Sequence, residues 1–332
     1  MKRSDKTRLA ILKALAERDG PVGAAKLSDQ VAGFGVTAQP RTIRLYLLQM
    51  DREGLTECVG RRQGRRITDK GREELARANI VEKVGFVAAR VDNLSYRMTF
   101  NLRAGRGTII ANVALIDRRA FHLALREMEP VFAMGYGMGN KLMVAEPGNR
   151  IADVLVPEGM MGIGTVCSVT INGIMLKEGI PVTARFGGLV EVREGHPLRF
   201  VQLLEYSGTT VDPLEAFIKA GMTAVRECAR QGSGIIGASF REIPTSALSD
   251  LERIARDMNT RGLGGILAVG RPNCPLLDVP VADGRAGLIV VGGMNPVAAV
   301  HEAGIRVTML SLAGLENVER FLDYQEVLRQ YG

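Results

Sequence analysis

The chain has 332 residues, of which 46% are hydrophobic and 24% charged. This describes a globular protein with room for two or three domains and excludes a disordered one. No apolar run approaches the roughly 20 residues a membrane span needs. The start, Met1-Lys-Arg-Ser-Asp-Lys, leads into charge rather than a signal-peptide core, so a cytoplasmic chain without membrane attachment is expected. Cys58, Cys167, Cys228 and Cys274 are too widely spaced for a zinc knuckle or a compact disulfide framework, and reduced thiols are expected.

The net charge of +7 is unevenly placed. Residues 1–80 carry 17 Lys+Arg against 10 Asp+Glu, whereas the remaining 252 residues carry 26 of each. A basic module on a neutral body suggests that the module meets a polyanion, most often nucleic acid.

In chain order, Leu9, Ile11, Leu12 and Leu15 recur at helical spacing, and Asp19-Gly20-Pro21 stops that helix. A second short helix is predicted from about Ala24 to Val31. A third has Pro40 near its first turn, a buried stripe of Ile43, Leu47, Leu48 and Met50, and a stop at Glu53-Gly54. Leu55 to Val59 and Ile67-Thr68 read as extended runs joined by the basic turn Gly60-Arg-Arg-Gln-Gly-Arg-Arg66, and a last helix begins near Asp69. Three helices followed by a hairpin within residues 1–80 is the order of a winged helix, resembling the winged-helix domains of bacterial and archaeal transcription regulators.

The candidate DNA-binding residues are Gln39, Arg41, Thr42 and Arg44 at the start of the third helix, and Arg61, Arg62, Arg65 and Arg66 on the wing. An arginine can pair bidentately with guanine, and wing arginines suit phosphates or a minor groove. A winged helix can also bind protein, so a protein-binding adaptor stays open.

The body repeats itself. Val144, Pro147, Val154, Val156, Gly159, Gly162, Val166, Gly179, Ile180 and Val182 return 125 residues later, as Val269 through Val307. Gly107 to Ile116 echoes Gly234 to Ile243 at an offset of 127. The expectation is a mixed α/β (α+β) effector-binding domain over about 84–325, in two similar halves at about 84–182 and 199–307. Each half would hold an extended segment, a helix (Arg118 to Met128; Ala247 to Met258), a β-rich stretch (Leu142 to Ala145; Ile266 to Val269) and a further strand; Thr165 to Asn172 reads as strand. Two such halves would leave a cleft for a small ligand.

Within the repeat, Thr165, Cys167, Ser168, Thr170 and Asn172 stand where the other copy has Val290, Gly292, Gly293, Asn295 and Val297. Arg185 lies before two glycines, and Arg241 follows Ser239. Two guanidiniums could clamp a dicarboxylate; the alternative for either is an ion pair with Glu191 or Glu242. Gly232-Ser-Gly-Ile-Ile-Gly237 satisfies a dinucleotide fingerprint but lacks a strand before it and a helix after it. Gly135-Tyr-Gly-Met-Gly139 reads as a flexible turn. The histidines His122, His196 and His301 are scattered, and Cys167 has no nearby base. No catalytic residue, metal or cofactor is expected, although an enzyme of keto-acid or amino-acid metabolism with an appended autoregulatory winged helix remains the alternative.

The runs Gly162 to Gly173, Gly179 to Val182, Phe186 to Val190, Tyr206 to Pro213, Phe240 to Pro244 and Gly292 to Pro296 resemble the regulatory domain of the NrpR family, nitrogen-regulation repressors of methanogenic archaea with relatives in some bacteria. The resemblance spans nearly the whole chain. It implies a DNA-binding repressor of nitrogen-assimilation genes whose regulatory domain binds 2-oxoglutarate and thereby changes operator affinity. The effector contacts would fall among Thr165, Cys167, Ser168, Arg185 and Arg241. A homodimer on an inverted-repeat duplex operator is expected, because one recognition helix reads only a few base pairs.

Overall fold

The computed structural model describes residues 3–17, 20–60, 63–78 and 86–332. Asp19, Arg61 and Arg62, all singled out in the sequence, lie outside the described residues. By internal contacts the chain divides into two units, 1–83 and 84–332. Among the described residues no helix is long and apolar enough to cross a membrane.

The first unit contains α1 (Arg3–Ala16), α2 (Ala24–Ala32) and α3 (Pro40–Arg52), then the hairpin β1 (Thr56–Gly60) and β2 (Gly64–Ile67), and α4 (Asp69–Ala78). Its core is Ile11, Leu15, Leu27, Val31, Ile43, Leu47 and Met50, the apolar faces of the three helices brought together. Pro40 supplies the first-turn position of α3, where its missing amide costs nothing. Gly54 follows α3 at φ +75°, a backbone that side chains resist. Leu48, expected on the buried stripe, is instead exposed, because only three of the four apolar positions face α1 and α2. Val22 bridges Arg65 through two backbone hydrogen bonds (2.8 and 3.0 Å) and so adds a third edge to the hairpin. This is a winged helix.

The second unit opens with α5 (Phe86–Arg97). It continues through β3 (Thr108–Asp117), α6 (Phe121–Ala133), β4 (Lys141–Ala145), β5 (Arg150–Ile151), β6 (Val154–Leu155), β7 (Met160–Val166), α7 (Thr170–Lys177), β8 (Thr183–Arg193) and β9 (His196–Glu205). After α8 (Pro213–Lys219) and α9 (Val225–Gln231) the pattern recurs as β10 (Gly234–Pro244), α10 (Leu248–Thr260), β11 (Ile266–Val269), β12 (Arg285–Val291), α11 (Asn295–Glu302) and β13 (Val307–Asn317), closed by β14 (Leu322–Asp323) and α12 (Tyr324–Tyr331). The repeat holds element by element: α6 and α10 have the same length at an offset of 127, and β7 with α7 returns as β12 with α11 at 125.

The strands form two antiparallel five-stranded sheets, ordered β13-β3-β7-β4-β14 and β11-β12-β10-β8-β9. The last strand of each half therefore pairs with the first strand of the other. Val307 to Asn317 run beside Ile116 to Thr108, and Thr183 to Val192 beside Glu242 to Gly234. The helix before each of these strands is carried along. α11 lies against α6, and Arg253 of α10 reaches Glu178 at the end of α7 (3.1 Å). Each sheet with its helices is a βαββαβ unit of ferredoxin-like strand order, four elements from one half and two from the other. The remaining sheet faces are covered by the β4–β7 and β11–β12 connections, with Ile151 and Val156 set over Gly162 and Leu276 over Gly287.

Two segments depart from their expected form. Thr165 to Asn172 is strand only to Val166, and α7 begins at Thr170. The β-branched run is overridden because Thr170, Ile171 and Asn172 are buried where the strand ends meet, and the matching Asn295-Pro296 starts a helix there too. The turn from Gly135 to Gly139 is built into the core, since Tyr136 and Met138 are buried.

The expected cleft between the halves is closed. A Cβ on Gly293 would stand 2.1 Å from the carbonyl oxygen of Val166, so the turns after β7 and β12 touch directly. Polar side chains stitch both turns. Thr170 Oγ1 lies 3.2 Å from the Ile110 amide and carbonyl, and Asn295 accepts from the Gly237 amide and donates to the Gly237 carbonyl (2.9 Å each). Asn295→Ala should strip partners from buried backbone and cost about 2–4 kcal/mol in urea denaturation. Asn295→Thr, the residue of the other copy, should recover part of the loss.

Candidate functional site

Two clusters bear on function, one in each unit. On α3 the buried positions Ile43, Leu47 and Met50 share one side, and Arg41, Thr42, Arg44, Leu45, Leu48 and Arg52 are exposed on the rest. Gln39 precedes the helix, also exposed. Among the described residues no carboxylate lies within ion-pair distance of Arg41, Arg44 or Arg52. The wing arginines differ. Arg65 is held by Asp51 at the end of α3 (2.7 Å), which also accepts from Thr56 (2.6 Å), so its guanidinium fastens the wing to the helix. Arg66 pairs with Glu57 across the hairpin and remains exposed.

In the second unit the two arginines of the expected clamp lie on opposite faces of one sheet. Arg241, on β10, points with Ser239 toward the start of α7. Arg185 sits at the irregularity where the β8–β10 register slips, and bonds Glu242 Oε1 (2.5 Å) and the Pro280 carbonyl (3.0 Å). Because Glu242 and Arg241 are neighbours on a strand, their side chains leave opposite faces. A single small dicarboxylate cannot bridge both. Arg185 instead lines an open hollow of about 560 Å³ together with Glu205 and Glu242, whose charge disfavours an anion.

Arg241 carries the stronger chemistry. It is fully buried, with Nε on Asn172 Oδ1 (2.7 Å), Nη1 on the Ser239 hydroxyl, and Nη2 on the Ser168 carbonyl (3.0 Å) and hydroxyl (3.4 Å). Every acceptor is neutral. Among the described residues no carboxylate pairs with this cation, which also lies at the positive end of α7. Burial lowers its pKa, yet a guanidinium stays charged. A buried, unpaired cation is costly and is relieved by an anion.

Around it stand Cys167, whose thiol is pushed up to about 12 by burial and is inert, and Tyr206, whose hydroxyl is raised by burial and bonds Ser239. Thr165 accepts from Asn112 (3.3 Å) beside the crossing of the two turns. The segment from Tyr206 to α8 closes over the group. Pro213 and the Tyr206 hydroxyl sit above Gly187, and Leu214 above Gly237 and Gly292, all positions where a Cβ would collide. Glu215 latches the segment to β13 through the Ser311 amide (2.9 Å) and hydroxyl (2.6 Å). Asn172, Ser239, Tyr206 and Asp212 were not among the sequence candidates. Ser239 could have been found, since a residue two positions before Arg241 on a strand must share its face.

Asp212 caps α8 by accepting from the Leu214 and Glu215 amides (3.0 and 3.1 Å). Burial raises its pKa to about 6, with Glu215 adding repulsion. A raised carboxyl pKa favours the folded chain at low pH, and that contribution fades as pH climbs through about 6. Asp212→Asn keeps the capping oxygen without the titration. It should flatten this part of the pH dependence, on the order of 2–3 kcal/mol, in urea unfolding measured between about pH 4 and 7.

Among the described residues no three metal-ligating side chains gather. A basic winged helix joined to a duplicated body is the organisation of a transcription regulator. Residues 84–323 match the model of the NrpR regulatory domains NRD1 and 2, and residues 9–75 that of the ribonuclease R winged-helix domain. The chain belongs to the NrpR family of nitrogen regulators. It is 32% identical over 317 residues to Global nitrogen regulator NrpRI of Methanosarcina mazei, covering 96% of this chain and 95% of that protein. It is 31% identical to Global nitrogen regulator NrpR of Methanococcus maripaludis over 93% of this chain, and spans 53% of that longer protein. The crystal structure of a nitrogen repressor-like protein from Methanococcus jannaschii shares the fold with a TM-score of 0.61 at 24% identity, over 71% of this chain and 97% of that one.

Proposed function

We propose that this protein represses nitrogen-assimilation genes as a homodimer on an inverted-repeat operator, and that 2-oxoglutarate sets its affinity for that operator. The observation that carries the effector half of this reading is Arg241, a buried cation held by neutral acceptors alone. A carboxylate entering here exchanges carbonyl and hydroxyl contacts for a charge-assisted pair, and Ser168, Asn172, Ser239 and Tyr206 supply the surrounding polar groups. Thr165 and Cys167 lie at the edge of the same region, whereas Arg185 does not take part.

Entry requires the segment from Tyr206 to α8 to lift. That segment is tied to β13 through Ser311, and β13 is the edge strand of the other sheet. Binding therefore changes how the two sheets are braced against each other. A coupling of about 1–3 kcal/mol between effector and operator is enough to shift occupancy 5- to 150-fold. The DNA half rests on the basic module and on the arginines of α3, which are exposed and have no carboxylate partner among the described residues.

Two measurements test the division of labour. Arg41→Ala with Arg44→Ala should weaken operator binding by at least tenfold in a mobility-shift assay, while calorimetry still detects 2-oxoglutarate. Arg241→Met should keep the unliganded chain within about 2 kcal/mol of wild type, because an unpaired buried charge is being removed. It should also abolish the stabilisation by 2-oxoglutarate, about 2.7 kcal/mol at a concentration 100 times the Kd. An unchanged stabilisation in the Arg241 variant would overturn the site.

A further inference from the structure

The outward face of α3 has a composition that the charge argument does not explain. Successive residues of an α-helix are about 100° apart, so with Ile43, Leu47 and Met50 turned inward the opposite line runs through Arg41, Leu45, Leu48 and Arg52. Leu45 is 64% exposed and Leu48 49%. Two adjacent leucines thus stand in water at the centre of the helix, with arginines at both ends of the line and Arg44 and Gln49 beside it. The one acidic residue of α3, Asp51, is tied to Arg65 and Thr56.

A surface that is cationic at its ends and apolar in its middle matches the major-groove wall of a duplex. There, phosphates and guanine edges present acceptors, and thymine presents a methyl group. A protein partner would be expected to bring carboxylates to Arg41 and Arg52, whereas the net positive charge of residues 1–80 as a whole favours an extended polyanion. We infer that Leu45, backed by Leu48, is a specificity-determining residue that packs on a thymine methyl, one helical turn beyond Arg41 and next to Arg44. This inference rests on the reading of the first unit as a DNA-binding element. It adds that each half-site contains a thymine whose 5-methyl group contributes to affinity.

The test uses the full chain and duplexes that it selects from a random-sequence pool. Each selected duplex is remade with deoxyuridine at one thymine at a time, which removes only the methyl. Wild type should lose about fourfold in affinity at one thymine per half-site, the effect of unburying one methyl-sized group. Leu45→Ala should bind the thymine duplex more weakly by a similar factor and should not distinguish thymine from uracil there. Because Leu45 is exposed, the variant keeps its fold, which circular dichroism verifies. Methyl-dependent binding that persists in Leu45→Ala, or wild-type binding indifferent to every substitution, overturns the inference while leaving DNA binding intact. A change of solution mass in Leu45→Ala with unaltered thymine preference assigns the leucines to a protein interface and overturns it too. If no duplex is selected at all, the DNA-binding reading itself fails and takes this inference with it.

Discussion

A guanidinium held out of water without a carboxylate is the constraint around which the second unit is arranged. Arg241 is surrounded by the Ser168 carbonyl and by the side chains of Ser168, Asn172 and Ser239. Those groups come from both sides of the pseudo-symmetry: Ser168 and Asn172 from the first half, Ser239 and Arg241 from the second. They meet only because α7 and β8 cross to the sheet built on β10. Had the halves folded separately, Arg241 and Ser239 would be parted from Ser168 and Asn172. The exchange of elements is thus what creates the polar interior, and that interior distinguishes this body from a symmetric duplicate.

The symmetry is kept where it stabilises and broken where chemistry is required. Thr170 and Asn295 occupy equivalent positions and serve the same backbone groups of β3 and β10. By contrast Ala114 stands where the second half has Arg241, and Val297 where the first has Asn172. The equivalent location in the first sheet therefore lacks both the cation and the counterpart of Asn172. Among the described residues there is one such site.

Much of the fold was legible because the repeat was. The offsets of 125 and 127 placed α6, α10, β4 and β11 within a few residues, and Pro40 and Gly54 marked the ends of α3. The exchange of strands was not legible, since β8 and β13 have the same pattern whichever first strand they join. The clamp failed for a related reason. Arg185 and Arg241 are both near glycine- or hydroxyl-rich runs, but the face each side chain leaves depends on register, and the register slips between Phe240 and Arg241. Leu48 stands outside the buried stripe because helical spacing fixes an apolar stripe but not how wide a neighbour covers it.

The exchange also fixes the order in which the molecule can be finished as it emerges from the ribosome. β3 has one neighbour in β7, but its other border stays bare until β13 arrives, some 190 residues later. At a synthesis rate of about 5–20 residues per second that is an interval of roughly 10–40 s. During it a long apolar ribbon displays unsatisfied backbone, the feature that recruits wrong partners. That border of β3 is thus the part of the nascent chain most in need of shelter until β13 is made.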